Sequence, residues 1–334
     1  MREKRASAVD RDILQLNVDF NCGRWCESCE KFYDCDDPKR FLIYERRRMK
    51  KAQQALSTIK YKIPVAGGKG GVGKSTTTAN LGVGLALRGH KVTILDQDFD
   101  GACIPKMLGL LDKRMEMCPE GLLPVEGPLG IHVLSMGNIL KSEQVLTWFH
   151  DMRRGATEEF LSHTVFGERD FLLVDLPPGT SSDTVNTLQF LPDAAGIVVV
   201  TIPSQVSQGI AYKAAMLAKK AGIRILGVVE NMSGYVCEAC GAIEYIFQKG
   251  GGEVLAEEID APFLGRIPLD GRLTQAADQG TPFVSAFAES EASKAVTQIL
   301  DRILVQLGDK LQRKNADSAA LAEEAETSNR RESR

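Results

Sequence analysis

Residues 66–78 read Ala-Gly-Gly-Lys-Gly-Gly-Val-Gly-Lys-Ser-Thr-Thr-Thr, and Gly68 to Ser75 satisfy the spacing G-x-x-x-x-G-K-[ST]. An apolar run precedes them (Ile63 to Ala66) and a helix-like run follows (Thr77 to Arg88), which makes a strand–loop–helix frame. Glycines at this density let successive backbone N–H groups turn inward around a phosphate, and the helix offers its positive end. The chemistry is nucleotide phosphate binding. Gly68, Gly70, Gly71, Val72, Gly73 and Thr76 form the expected cradle, Lys74 is the phosphate cation and Ser75 a hydroxyl ligand for Mg2+.

Two further runs end in carboxylates. Lys91-Val-Thr-Ile-Leu-Asp96 leads into Gln97-Asp98-Phe99-Asp100-Gly101, and Phe171-Leu-Leu-Val-Asp175 leads into Leu176-Pro177-Pro178-Gly179-Thr180. In open α/β sheets ligands lie beyond the carboxyl ends of the strands, so these acids are aimed at the phosphates. Asp96 is expected to support the Mg2+ sphere, Asp98 to orient the attacking water, and Asp175 to hold the metal through water. The Pro-Pro-Gly-Thr loop would sense the terminal phosphate. The plain alternative for 96–101 is a charged turn.

Cysteine supplies the second kind of chemistry. Cys22, Cys26, Cys29 and Cys35 are four thiols within a short stretch that contains no histidine, enough for a [4Fe-4S] cluster or an all-cysteine zinc site. C-x3-C-x2-C is also similar to the loop of radical SAM enzymes, but residue 28 is Ser and the chain is built around a phosphate loop. Cys237 and Cys240 form a separate C-x-x-C, which two chains meeting at a symmetry axis would complete to four thiolates. A redox pair or half a zinc ribbon is the alternative. Cys103 and Cys118 stand alone and are expected to be ordinary packed or loop thiols. Between the strands and the C-x-x-C, Asn231 carries an amide suited to an adenine edge, and Pro268 opens a loop able to close over the base.

The elements that must position these groups alternate. Strand-like runs (63–66, 91–96, 131–136, 171–175, 197–202, 225–229, 263–267) are separated by helical ones, which predicts a mainly parallel, helix-covered α/β sheet. Phe41 to Lys60 is predicted to be a basic helix joining the cysteine cluster to the sheet. Its Arg46-Arg47-Arg48 run is expected to be a solvated face rather than a nucleic-acid or membrane contact. Ser142 to Phe166 should be mostly helical, with Trp148 and Phe149 as packing residues. Pro64 breaks a rule, since a central strand loses a ladder bond there unless the strand starts later or that donor faces no partner. Val296, Ile299, Ile303, Leu307 and Leu311 recur at helical spacing, either as a sheet cover or as a membrane-surface stripe. The expected organisation is a Cys-rich extension and linking helix over 1–60, a nucleotide domain over 61–313, and a disordered tail over 314–334.

Composition narrows the class. A net charge of −3 gives no reason to expect nucleic acid, and the longest apolar stretch, Ala194 to Ile202, is too short to cross a bilayer. The chain is therefore expected to be cytoplasmic, with no membrane partner. Eight cysteines in such a compartment argue for metal or redox chemistry over disulfides.

With Lys69 after Gly68, G-K-G-G-V-G-K-S-T resembles the deviant Walker A of the MinD/ParA/nitrogenase-iron-protein class of P-loop NTPases. That resemblance implies that Lys69 reaches a nucleotide in the facing subunit; otherwise it is a solvated loop lysine. Taken with GACIPKMLG, FLLVDLPPGTSSD, GVVENMSG, CEAC and FLGRIPLD, the chain from Ile63 to Val284 resembles the Mrp/ApbC/Nbp iron-sulfur cluster carriers. This implies ATP binding and slow hydrolysis with Mg2+, a homodimer, and adenine contacts from Asn231 and the Pro268 loop. It also implies a labile [4Fe-4S] cluster bridged by Cys237 and Cys240 of both subunits and delivered to apo iron-sulfur proteins. Cys26, Cys29 and Cys35 match the C-x2-C-x5-C of the Nbp branch, while Cys22 departs from its spacing. Asp100 and Ala102 also depart, standing where the family usually has Tyr or Cys and Pro. Two other readings compete: an ATP-gated electron carrier, and a MinD/ParA-like positioning ATPase with structural zinc.

Overall fold

The computed structural model describes residues 49–139, 150–191, 193–237, 240 and 242–308. The cysteines at 22, 26, 29 and 35, the run 46–48, Trp148, Phe149, Leu311 and the tail from 314 lie outside the described residues.

Among the described residues eight strands form one sheet: β1 (Ile59–Gly67), β2 (Val92–Asp96), β5 (Val125–Glu126), β6 (His132–Leu134), β7 (Arg169–Asp175), β8 (Ile197–Thr201), β9 (Ile225–Glu230) and β12 (Phe263–Arg266). Their spatial order is β12-β9-β8-β1-β7-β2-β6-β5. All neighbours are parallel except β5 on β6 at one edge. Two small hairpins stand apart, β3 (Glu116–Cys118) with β4 (Gly121–Leu123), and β10 (Tyr235–Val236) with β11 (Ile243–Glu244). Every residue of β2 and β8 is buried, as strands covered on both faces must be, and this is why they read as unbroken apolar runs.

The sheet faces sort by alternation. Ile63, Val65, Ile94 and Leu173 pack with Leu81, Val83 and Leu85 of the helix Lys74–Leu87 and with a helix at 291–308. Leu95, Leu172 and Val174 pack on the other face with Phe160, Leu161, Leu188, Ala214 and Ala218. Val296, Ile299, Ile303 and Leu307 are all buried, so that stripe covers the sheet. Among the described residues no helix is long and apolar enough to cross a membrane.

One expected boundary moves. The described part of the helix read over Phe41 to Lys60 ends at 56, and β1 starts at Ile59, ahead of the expected division at 61. Ile59 is already in register with Arg169, so ladder pairing and burial override the helical look of a lysine-rich run. Pro64 lies inside β1. Val65 turns its carbonyl to Leu176 N beyond β7, so Pro64 faces the β8 side, where pairing begins only at Val65. The missing N–H falls where the second ladder has not yet begun.

Candidate nucleotide and thiol site

The loop leaves β1 and enters its helix through two left-handed glycines, Gly71 (φ 81°) and Gly73 (φ 86°). Gly73 is the N-cap and offers no side chain, so the first N–H groups of the helix are left for a ligand. A Cβ on Gly73 would also stand 2.0 Å from Asn231 Nδ2, and one on Gly68 would stand 2.6 Å from the Ser207 carbonyl. Both positions need glycine for space. Lys74 is buried and folds its stem over Gly67, whereas Lys69 stands exposed at the mouth of the loop.

The acids meet at the strand ends. Asp96 and Asp175 are register partners on β2 and β7, and both are fully buried. Asp175 accepts from Ser75 Oγ and, at 3.1 Å, from Thr78 Oγ1. Asp96 accepts from Ser135 Oγ at 3.1 Å, Asp98 N at 3.2 Å and Ile104 N at 3.3 Å. Burial, then the neighbouring Asp175 charge, holds Asp96 well above the usual carboxylate range; burial pushes Asp175 up to about 6. Asp98 closes a tight turn, its Oδ1 accepting from Gly101 N at 3.1 Å. Cys103, expected to be a packed or loop thiol standing alone, lies near Ser75 and the acids, and burial raises it to about 11. Thr78, Ser135 and Cys103 carried no sequence signal, because each reaches the acids across a loop or a helix turn.

The residues after β9 are stitched to the loop. Asn231 Nδ2 donates to the Val72 carbonyl at 2.9 Å, which leaves its second N–H and its Oδ1 for other partners. Ser233 N donates to Ile267 O at 3.0 Å and Leu269 N to Gly234 O at 2.7 Å, which brackets Pro268 against the segment from Asn231. Beneath them Glu230, unmarked in the sequence, is fully buried and accepts from Gly252 N at 2.6 Å, Arg266 Nε at 3.3 Å and Ser233 Oγ.

The same segment runs straight into the β10–β11 hairpin. Cys237 N donates to Ala242 O at 2.9 Å, and Cys240 is exposed. Neither cysteine is in a disulfide, and among the described residues no three His, Cys, Asp or Glu side chains gather as a metal site. One chain thus presents two thiols.

A parallel sheet carrying this loop and these acids defines a P-loop NTPase. Residues 58–304 match the family described as NUBPL iron-transfer P-loop NTPase, within ParA, and the chain belongs to that family. It is 43% identical to the "Iron-sulfur cluster carrier protein" of Methanococcus maripaludis, covering 84% of this chain and 98% of that one. It is 39% identical to the chicken "Cytosolic Fe-S cluster assembly factor NUBP2", covering 75% and 93% respectively. Among solved structures it resembles a nucleotide-binding protein in complex with ADP from Archaeoglobus fulgidus, with TM-score 0.63, 36% identity, and 70% and 92% of the two chains covered. The Pyrococcus furiosus cell division ATPase MinD follows at TM-score 0.54 and 25% identity, with 73% and 98% covered.

Proposed function

We propose that this protein is an ATP-hydrolysing carrier that assembles a [4Fe-4S] cluster and transfers it to apo-proteins, working as a homodimer in the cytoplasm without nucleic-acid or membrane partners. The observation that supports this most directly is the chain path from Asn231, bonded to the phosphate loop at Val72, to Cys237 and Cys240 on the next hairpin. Cys237 follows Asn231, the proposed nucleotide contact, by six positions. Two hairpins in a dimer offer four thiolates, the complement of a [4Fe-4S] cluster. By their names the methanococcal relative carries iron-sulfur clusters and the chicken one is a factor in their assembly.

Ser75, Asp175 and Asp96 fit Mg2+: the donors are hard oxygens, and two fully buried acids side by side call for a cation. Bound there, Mg2+ would neutralise charge on the transferring phosphoryl group. Lys74 would hold the phosphates within the chain, Lys69 those of the facing subunit, and Asp98 would orient the attacking water. Asn231 and Pro268 would border the adenine. Cys22, Cys26, Cys29 and Cys35 would hold a second cluster in each chain.

The test is iron, acid-labile sulfide and zinc per chain in protein purified without oxygen, beside Cys237→Ala/Cys240→Ala. One held and one shared cluster predict about six irons per chain, falling to about four in the variant. Transfer to an apo-protein should also differ between ATP, ADP and no nucleotide. Stoichiometric zinc without sulfide, or transfer rates blind to nucleotide, would overturn the proposal.

A further inference from the structure

Two loops face the phosphates in this fold, residues 97–101 after β2 and Pro177–Thr180 after β7. The second feeds the helix Ser182–Gln189, capped by Ser181 Oγ accepting from Thr184 N. The helix His150–His163 packs against it, and from that helix one guanidinium joins the first loop to the helix that follows the second. Arg153 Nη2 donates to both carboxylate oxygens of Asp100 at 2.7 Å, while Nη1 donates to Asp183 Oδ2 at 3.3 Å.

A second rung lies one helical turn along. Gln97 Oε1 lies 2.9 Å from Thr157 Oγ1 and 3.5 Å from Thr187 Oγ1, and Gln97 Nε2 is buried without a partner. Each hydroxyl has one proton and a carbonyl of its own helix within reach, Arg153 O at 3.1 Å and Asp183 O at 2.8 Å. With the amide turned over, Nε2 donates to both hydroxyl oxygens and each hydroxyl donates to its carbonyl, which satisfies both hydroxyls and the amide nitrogen. Arg153 and Thr157 are four apart on one helix, as are Asp183 and Thr187 on the other, so the two rungs stack on facing sides.

We infer that Arg153 is a positioning residue for ATP hydrolysis, which it serves by clasping the 97–101 loop to the helix behind Pro177–Thr180 so that the two phosphate-facing loops move as one. Asp100, one of the residues where the chain departs from the resembling family, is the group it grips. One nitrogen faces both Asp100 oxygens while the other is held by Asp183, so the guanidinium is anchored at two points. The Asp100 side chain is 65% exposed, so the pair adds little to stability and its effect belongs in the rate. The inference rests on the proposed role of Asp98, which sits in the clasped loop.

Steady-state hydrolysis by the full chain tests it, using Arg153→Ala, Arg153→Lys, Asp100→Ala, the Asp100→Ala/Arg153→Ala double and, for reference, Asp98→Ala. Arg153→Ala should lower kcat about tenfold with KM for ATP and melting temperature unchanged. Asp100→Ala should match it, the double should fall no further, and Arg153→Lys should recover part of the loss. A kcat within about twofold of the parent, a multiplicative double, or a kcat loss tracking a fall in melting temperature overturns the clasp. If Arg153→Ala does not fold, Asp100→Ala decides by the same criteria. Asp98→Ala at the parental rate sinks the reading of Asp98, whereas an inactive Asp98→Ala beside a parental Arg153→Ala sinks only the clasp.

Discussion

Asp96 and Asp175 face one another in register at the ends of neighbouring parallel strands, both fully buried. Like charges so placed resist ionising together. Hydroxyls of Ser75, Thr78 and Ser135 feed protons to their oxygens, but hydroxyl dipoles do not cancel two charges. The metal-free protein therefore carries an electrostatic strain that the proposed Mg2+ would relieve.

That strain has a pH signature. Burial raises Asp175 from 3.8 to about 6, so in the folded chain it keeps its proton longer than in the unfolded one. A carboxyl raised in this way supports the fold below about pH 4, and that support is lost as pH rises through about 6. Asp175→Asn keeps the shape and removes the charge. In EDTA at pH 7.5 it should melt above the parent, by on the order of 3 kcal/mol, with the gap closing between pH 6 and 4. ATP hydrolysis should be lost. Thermal melts across pH 4–8 check this, and a variant less stable than the parent at pH 7.5 would refute it.

The strand ends and the phosphate loop were legible because the local sequence writes them: an apolar run sets the strand and the next residue sets the chemistry. Side-chain partners across the fold were not. Val72 and Asn231 are 159 positions apart, and Arg153 meets acids 53 and 30 positions away, so no periodic pattern could pair them. Glu230 was invisible because a glutamate at a strand end reads as solvated, and its burial is explained by donors from distant positions, the N–H groups of Gly250 and Gly252 with Arg266. The β1 boundary was misread because pairing with β7 is a tertiary term.

Asn231 braces the loop that holds the phosphates, so its removal should act on affinity and fold together. Asn231→Ala leaves the Val72 carbonyl short of a donor, a cost of about 1–3 kcal/mol. ADP affinity should fall with it. Gly73→Ala should be worse, since its Cβ meets the Asn231 amide and its backbone is left-handed. Titration with a fluorescent ADP analogue, beside melting curves, orders the two variants. Equal affinity for parent and Asn231→Ala would remove the brace.

Glu230 ties the β9 end to the helix Gly251–Glu258 through the Gly252 N–H, and to β12 through Arg266. Glu230→Ala leaves the Gly252 N–H without its acceptor and Arg266 with Glu253 alone, so it should cost roughly 1–3 kcal/mol. Glu230→Gln keeps one acceptor and should cost less. Urea unfolding measures both, and a loss under about 1 kcal/mol for the alanine variant would contradict the network.

Cys103 and Cys240 should differ sharply in reactivity. The nucleophile is the thiolate, and burial lifts Cys103 to about 11, so at pH 7.5 well under one part in a thousand is ionised. Cys240 is exposed on its hairpin. In cluster-free, reduced protein, iodoacetamide mapped by peptide mass should label Cys240 within minutes and Cys103 only after unfolding. Cys103→Ser nearly keeps the volume of the side chain and should keep the parental hydrolysis rate. Rapid labelling of native Cys103 would show that the acids and Ser75 do not enclose the thiol.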